Sequence, residues 1–201
     1  MKRLAWALSL NMILVACGGG DAGSEAEQTP AAETPAAAPA APASEAMGPT
    51  GPLTVPEWYG YDEASNTVDL TIVAGETPDN NYWNYNGYIN GAIDITVPEG
   101  ATVTIEFTND DPVMAHSIGV SSELENFAAP PPVEPVFEGA VTSNPVSMTE
   151  GGMPGSTETI SFVASEAGEY TLVCYVPGHT AVGMWIYFTV SAEGEAGVQG
   201  L

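Results

Sequence analysis

Three side chains that can bind a transition metal stand at five-residue steps in the segment CYVPGHTAVGMW, residues 174–185. Cys174 offers a thiol, His179 an imidazole and Met184 a thioether, with a Pro-Gly turn between the first two. The chain has one further histidine, His116, which lies upstream on a predicted strand. Folding is therefore expected to gather a thiolate, two imidazoles and a thioether around one loop.

These donors are those of a mononuclear blue copper centre, in which three strong ligands lie near one plane and a methionine binds weakly along the axis. One type 1 copper ion is therefore predicted, bound by His116, Cys174, His179 and Met184. Zinc would favour a hard or thiolate donor over Met184. A catalytic Cys174–His179 pair is the remaining alternative, and it leaves His116 and Met184 without a role. Each residue alone is equally typical of an apolar core or a solvated turn.

The N-terminus has the pattern of a secretory signal. Lys2 and Arg3 precede an apolar run over 4–16 that is too short to cross a bilayer. The run ends in Leu-Val-Ala-Cys, which resembles the bacterial lipobox. We therefore predict a signal peptide over 1–17 and lipidation of Cys17, which would anchor the protein to a bacterial membrane outside the cytoplasm, in the periplasm or at the cell surface. An ordinary signal peptide with a chance cysteine is the alternative.

The charge of the chain is strongly one-sided. Lys2 and Arg3 are its only Lys and Arg residues, against 26 Asp and Glu. Nucleic acid is excluded as a partner, because no residue of the mature chain could neutralise phosphates. Such a field attracts basic proteins, although adaptation to salt or acid explains the acidity equally well. If Cys17 carries lipid, Cys174 is the one remaining thiol and cannot form a structural disulfide within the chain.

Composition divides the mature chain into three parts. Residues 18–52 are mostly Ala, Pro, Gly and Glu and predict a disordered tether, which would reach on the order of 100 Å when extended. Residues 53–192 form one domain with enough apolar residues for a core. Residues 193–201 are expected to be a flexible tail.

Apolar residues of the domain recur with the period of two that is typical of strands. Val68-x-Leu70-x-Ile72 is one example, and Gly, Pro, Asn and Asp punctuate the series. We therefore predict an all-β domain, an antiparallel sandwich or barrel. The Pro- and Gly-rich stretch 121–156 breaks the rhythm and predicts a long excursion between strands. The side chains expected to surround the metal site are Met114, Phe127, Val182 and Trp185.

The ligand loop resembles that of cupredoxins, and its C-x-x-P-G-H-x-x-x-G-M form resembles sulfocyanins and rusticyanins most. The stretch YWNYNGYINGAIDITVPEGATVTIEFTND, residues 82–110, is similar to the Phe-Asn-Phe-Asn-Gly motif and following strands of sulfocyanins. The resemblance covers about residues 66–191. It implies a Greek-key cupredoxin β-sandwich and a monomeric one-electron carrier of a respiratory chain. A cytochrome or terminal oxidase is the implied basic partner.

The resemblance carries three further implications. His116, Cys174, His179 and Met184 match the ligand positions of the family. The edge of His179 would be exposed and would form an electron port with Pro177 and Val182. Many cupredoxins have Asn after the first His ligand, where this chain has Ser117, as rusticyanin-like proteins do; a raised redox potential is the corresponding hypothesis.

Enzyme classes of the same superfamily are disfavoured. Multicopper oxidases and copper nitrite reductases need further histidines, and a binuclear copper centre needs a second nearby cysteine. The chain is therefore predicted not to be an enzyme. A copper storage or delivery lipoprotein that uses the same ligands remains an alternative, as does a structural lipoprotein with a vestigial site.

Overall fold

The computed structural model describes residues 48–201 of the 201-residue chain. The predicted signal peptide, Cys17 and most of the 18–52 tether therefore lie outside the described residues. The described part contains two short 3-10 helices, at Asp79–Tyr82 and Thr180–Val182, and no α-helix. Its strands, in chain order, are β1 (Tyr59–Asp62), β2 (Thr67–Ala74), β3 (Asp94–Pro98), β4 (Thr102–Asn109), β5 (Gly119–Ser121), β6 (Thr157–Val163), β7 (Gly168–Val173), β8 (Trp185–Ser191) and β9 (Gly197–Gln199). No helix of this part is long and apolar enough to cross a membrane.

The strands form two sheets, in the orders β1-β2-β4-β6 and β5-β7-β8-β3-β9. The predicted all-β sandwich is confirmed. The prediction of purely antiparallel pairing is wrong, because β2 runs parallel to β4 and β3 runs parallel to β8. In both cases the intervening chain visits the other sheet before it returns, since parallel neighbours need such a crossover.

Alternate residues of the strands fill the space between the two sheets, as their period of two predicts. Their fully or almost fully buried side chains are Val68, Leu70, Ile72, Val103, Ile105 and Phe107 in one sheet, and Ile95, Val97, Leu172, Ile186 and Phe188 in the other. Cys174 lies two residues beyond Leu172 and Met184 two residues before Ile186, and both belong to this core. The loop between β7 and β8 therefore carries its sulfur donors at one end of the sandwich.

The long connection between β5 and β6 packs against the sandwich. Phe137 stacks on Phe162 with ring centroids 5.7 Å apart. Near the end of the connection, the carbonyl of Gly152 accepts a hydrogen bond of 2.9 Å from the backbone N–H of His116. This stretch without strands is the predicted excursion, and its last part lies beside a predicted metal ligand.

The prediction of a flexible tail over 193–201 is wrong. β9 pairs with β3, Val198 is fully buried, and the backbone of Val198 exchanges hydrogen bonds of 2.8 and 2.9 Å with Thr54. The side-chain amide of Gln199 also donates to the carbonyl of Gly51 at 2.8 Å. The two ends of the described chain therefore pair with each other at the edge of the second sheet.

Candidate metal centre

Three of the predicted donors converge, and each of these side chains is buried. The Nδ1 atoms of His116 and His179 lie 3.1 Å apart, and Sγ of Cys174 lies 3.9 Å from the first and 3.6 Å from the second. Typical bond lengths of about 2 Å from a metal to nitrogen and about 2.3 Å to sulfur suit one ion within this triangle. The donor types and their spacing therefore fit copper.

Backbone hydrogen bonds bring the fourth predicted donor, Met184, to the same place. The N–H of Cys174 donates to the Met184 carbonyl at 3.3 Å, and the N–H of Met184 donates to the His179 carbonyl at 3.1 Å. The Met184 side chain is fully buried. These bonds close the loop between β7 and β8, so that Met184 lies beside both other donors of the loop.

A glycine allows this loop to close. Gly183 follows the 3-10 helix Thr180–Val182 with φ of 109°, a left-handed conformation that glycine adopts without strain. A Cβ atom at this position would collide with the side chain of Asn90, whose backbone N–H donates to the Gly183 carbonyl at 2.9 Å. Only glycine therefore fits between the helical turn and Met184.

A buried carboxylate orients His116. Nε2 of His116 lies 2.9 Å from Oδ2 of Asp111, and neither side chain is exposed to solvent. Because a carboxylate accepts the proton of Nε2, Nδ1 keeps its lone pair and faces Cys174 and His179. The other carboxylate oxygen accepts hydrogen bonds from the N–H groups of Val113 at 2.7 Å and Met114 at 2.9 Å.

Asn109, the last residue of β4, supports Asp111. Its side-chain carbonyl accepts the N–H of Asp111 at 2.9 Å, and its amide donates to the carbonyls of Met114 at 2.8 Å and Gly152 at 2.7 Å. Asn109 therefore ties the Asp111 turn to the end of the long connection. Neither residue could be identified from the sequence, because an Asp five positions before a His is a common spacing without a specific meaning.

Ser117 braces the ligand loop in place of the more usual asparagine. Its hydroxyl accepts the N–H of Tyr175 at 2.9 Å and lies 3.7 Å from Sγ of Cys174. Its carbonyl accepts a 2.6 Å hydrogen bond from the hydroxyl of buried Tyr85. The Thr180 hydroxyl donates to the carbonyl of Cys174. The backbone on both sides of the cysteine is therefore fixed by side chains.

The Trp-Asn-Tyr-Asn-Gly stretch, residues 83–87, is held in place by the side chains of its two asparagines. Asn84 is buried and donates to the carbonyls of Thr77 at 2.8 Å and Asp79 at 3.0 Å. Asn86 accepts the N–H of Val73 at 2.6 Å, which ties the stretch to β2. The two asparagines therefore fix the position of Tyr85, which lies between them, and of Trp83, which precedes them.

Trp83 covers His179. The two rings stack with centroids 3.9 Å apart and planes inclined by 19°, and His179 is only 1% exposed. The expectation of an exposed His179 edge is wrong, because the whole imidazole is buried, and the indole covers one of its faces. The expected apolar surface nearby is present, since Pro177 is exposed and Val182 is 51% exposed.

The predicted surround of the site is partly wrong. Trp185 follows Met184 in an extended chain, so its side chain points to the opposite face of the sheet. There it packs against Phe127 and Tyr187, with ring centroids 5.1 Å apart in each pair. Val182 is exposed rather than enclosing. Trp83 and Tyr85 are the aromatic residues at the site instead.

The electrostatics of the site favour neutral imidazoles. Burial lowers the pKa of both histidines, and with repulsion from His116 it lowers that of His179 to about 4. Asp111 opposes this shift at both rings. Burial raises the pKa of Asp111, but hydrogen bonds from Val113, His116 and Met114 outweigh it and hold the pKa below its usual value. Burial also raises the pKa of the Cys174 thiol, so metal binding would release its proton.

Known proteins are similar to this chain in sequence or in fold. A family model described as the Sulfocyanin (SoxE) domain matches residues 57–197. The chain belongs to the sulfocyanin family. Sulfocyanin of Sulfolobus acidocaldarius is 35% identical over 141 residues, which are 65% of this chain and 67% of that protein. Rusticyanin of Acidithiobacillus ferrooxidans is 34% identical over 91 residues, which are 45% of this chain and 56% of that protein. The solved auracyanin from Roseiflexus castenholzii has a TM-score of 0.44 and 28% identity, covering 66% of this chain and 99% of that one.

Membership of the sulfocyanin family makes this chain a cupredoxin and a blue copper electron-transfer protein. Its cofactor is one type 1 copper ion, and the buried His, Cys and His donors suit that ion in kind and in spacing. The predicted fold class, a cupredoxin β-sandwich, is confirmed.

Proposed function

We propose that the protein is a lipid-anchored, extracytoplasmic one-electron carrier of a respiratory chain, with copper held by His116, Cys174, His179 and Met184. Bound copper supplies a couple between Cu(I) and Cu(II). The observation that carries the proposal is the triangle of two Nδ1 atoms and one Sγ atom, 3.1 to 3.9 Å apart. Side-chain and backbone hydrogen bonds fix this triangle, and a carrier needs such a site, since little rearrangement between oxidation states permits fast transfer.

The burial of the site supports a carrier rather than a copper storage or delivery protein. A delivery protein must give up its metal, whereas all four proposed ligands here are no more than 1% exposed. The indole of Trp83 stacks on the one imidazole that the ligand loop provides. Exchange of copper with a chelator should therefore be slow in both oxidation states.

Lipidation of Cys17 and a tether over 18–52 would place the domain on a membrane face. The support is the lipobox-like end of the leader and the Ala-, Pro- and Gly-rich composition that follows it. A tether of this length would let the domain reach a donor and an acceptor in turn. Mass spectrometry of the membrane fraction tests this, and a mature N-terminus without a diacylglycerol-modified Cys17 would contradict it.

A basic redox partner would dock at the copper end, over Trp83, Pro177 and Val182. The support is apolar exposure beside a ligand loop in a chain whose only cationic side chains are in the leader. Stopped-flow transfer to a basic cytochrome should slow as salt rises, because salt screens attraction between exposed charges. A rate that does not change with salt would exclude charge-guided docking.

The ligand assignment is tested with the full chain loaded with Cu(II). Absorption and EPR spectra should show an intense thiolate-to-copper band and a narrow copper hyperfine splitting. Cys174→Ser and His116→Ala should lose both features, and Met184→Leu should keep the band but shift the redox potential. Met148→Leu is the matched control, since this methionine is 53% exposed and lies outside the proposed ligand set. A wild-type protein without the band would overturn the proposed function.

A further inference from the structure

One charged group at the site is left unexplained by the ligand set. The carboxylate of Asp111 is completely buried and accepts three hydrogen bonds, from Nε2 of His116 and from the N–H groups of Val113 and Met114. Burying a charge is costly, so a buried carboxylate without a function is rare. The hydrogen bonds stabilise the ionised form, which leaves a permanent anion behind one proposed ligand.

Among the described residues, 48–201, no Lys or Arg side chain compensates this anion, because Lys2 and Arg3 are the only residues of these types in the chain. Both histidines belong to the proposed site. Within the described part of the chain, the positive charge available to Asp111 is therefore the one that a metal brings. One imidazole ring separates the carboxylate from Nδ1, and in a buried environment charges interact strongly over this distance.

We propose that Asp111 is a positioning residue that also sets the redox balance of the site. Its carboxylate holds His116 as an Nδ1 donor and stabilises the oxidised site over the reduced one. With the Cys174 thiolate and the Asp111 carboxylate, Cu(II) completes a set of zero net charge, whereas Cu(I) leaves one uncompensated negative charge. This inference rests on the ligand set proposed above.

The two effects of Asp111 can be separated by substitution. Asp111→Asn removes the charge but keeps a carbonyl oxygen that can accept from Nε2 of His116. Asp111→Leu removes both the charge and the acceptor. Asp110→Asn is the matched control, because the neighbouring residue is exposed and loses the same charge where solvent screens it.

The redox balance is read from the potential of the copper-loaded full chain. In Asp111→Asn we expect the affinity ratio of Cu(I) to Cu(II) to rise about tenfold or more, which corresponds to an increase of about 59 mV for one electron. Asp110→Asn should leave the potential almost unchanged. Equal potentials in the two variants would overturn the electrostatic part of the proposal.

The positioning role is measured by the tautomer of His116 in the copper-free chain and by the affinity for Cu(II). Nitrogen NMR of the copper-free full chain should show His116 in a single tautomer, protonated at Nε2, in the wild type and in Asp111→Asn. In Asp111→Leu the tautomers should mix, and Cu(II) affinity should fall roughly 10- to 100-fold, as for other groups that orient a ligand. An unchanged tautomer and an unchanged affinity in Asp111→Leu would overturn this part. If wild-type protein lacked a type 1 site, the tautomer would still report the Asp111–His116 contact.

Discussion

His116 and His179 present their Nδ1 atoms to the same point, but different interactions hold the two rings. An anion behind the ring fixes His116, through a 2.9 Å contact with Asp111 that is closed to solvent. An aromatic face covers His179, and its backbone is fixed within the ligand loop. The first arrangement controls charge at the site, and the second controls access to it. The two imidazoles of one site therefore have separable tasks.

The comparison predicts that His179, the ring without a carboxylate partner, is sensitive to acid. Its pKa is lowered to about 4 in the folded protein, whereas an unfolded histidine titrates near 6.5. As pH falls, the unfolded chain therefore takes up this proton first, and the free energy of unfolding falls. Above pH 6.5 the ring is neutral in both states and does not change the free energy of unfolding. Below pH 4 it lowers the free energy of unfolding by about 3 kcal/mol.

Urea unfolding of the copper-free full chain between pH 7 and pH 4 measures this loss. His179→Gln should lose much less stability over the same range, because it has no group to protonate there. Identical pH profiles for wild type and His179→Gln would show that protonation of His179 does not destabilise the folded chain.

A buried carboxylate outside the site titrates in the same range with the opposite sign. Asp94 is 5% exposed, its Oδ1 has no partner among the described residues, and burial raises its pKa to about 6. Folding therefore favours its protonated form, which stabilises the protein as pH falls from 6 towards 4. We expect Asp94→Asn to raise the free energy of unfolding at pH 7 by about 3 kcal/mol and to change it little at pH 4.

Asp94→Asn also isolates the effect of His179 on acid stability. In Asp94→Asn the free energy of unfolding should fall more between pH 7 and pH 4 than in the wild type, because protonation of Asp94 no longer offsets the loss due to His179. A variant that is less stable than wild type at pH 7 would contradict the assigned cost of this carboxylate.

Gly183→Ala should disturb the His179 side of the site alone. The added methyl group meets Asn90 and imposes strain at φ of 109°, with an expected cost of about 1 to 3 kcal/mol. Gly178→Ala is the matched control, because its φ of 89° is also positive but its Cβ would meet no atom within 4 Å. Urea unfolding should rank Gly183→Ala below Gly178→Ala, with the NMR signal of His116 Nε2 unchanged in both.

The smallest effect is expected from the aromatic cover. A stacked pair contributes about 0.5 to 1.5 kcal/mol beyond the area it buries. Trp83→Ala should therefore release copper to a chelator roughly 2- to 10-fold faster, and Trp83→Phe should stay close to wild type. Equal release rates for Trp83→Ala and wild type would show that the indole does not limit access.

The sequence was sufficient to predict that His116, Cys174 and His179 converge, and to predict most of the core. The C-x4-H-x4-M spacing identifies three donors on its own, and with two histidines in the chain the fourth could only be His116. Alternating residues such as Val68, Leu70 and Ile72 are buried as expected. Alternation describes the two faces of a strand but not its direction, so the parallel pairs β2–β4 and β3–β8 could not be foreseen.

Features that depend on contacts between distant parts of the chain could not be predicted from the sequence. The stack of Trp83 on His179 joins residues 83 and 179 through the packing of two loops, and no local pattern encodes it. Strand β9 has only three residues, and one of them is Gly197. The role of Asp111 follows from its buried contact with His116, which spacing alone does not give.

The hydrogen bonds of Asn109, Asp111 and Ser117 also have a consequence for how the protein matures. All of their partners are protein atoms, so these bonds form when the chain folds and do not require the ion. Assembly can then proceed in a fixed order, with folding first and metal insertion last. Insertion would occur on the Trp83 side, because the Asp111 side is sealed. A cell that runs short of copper would accumulate a folded precursor that becomes active as soon as the metal returns.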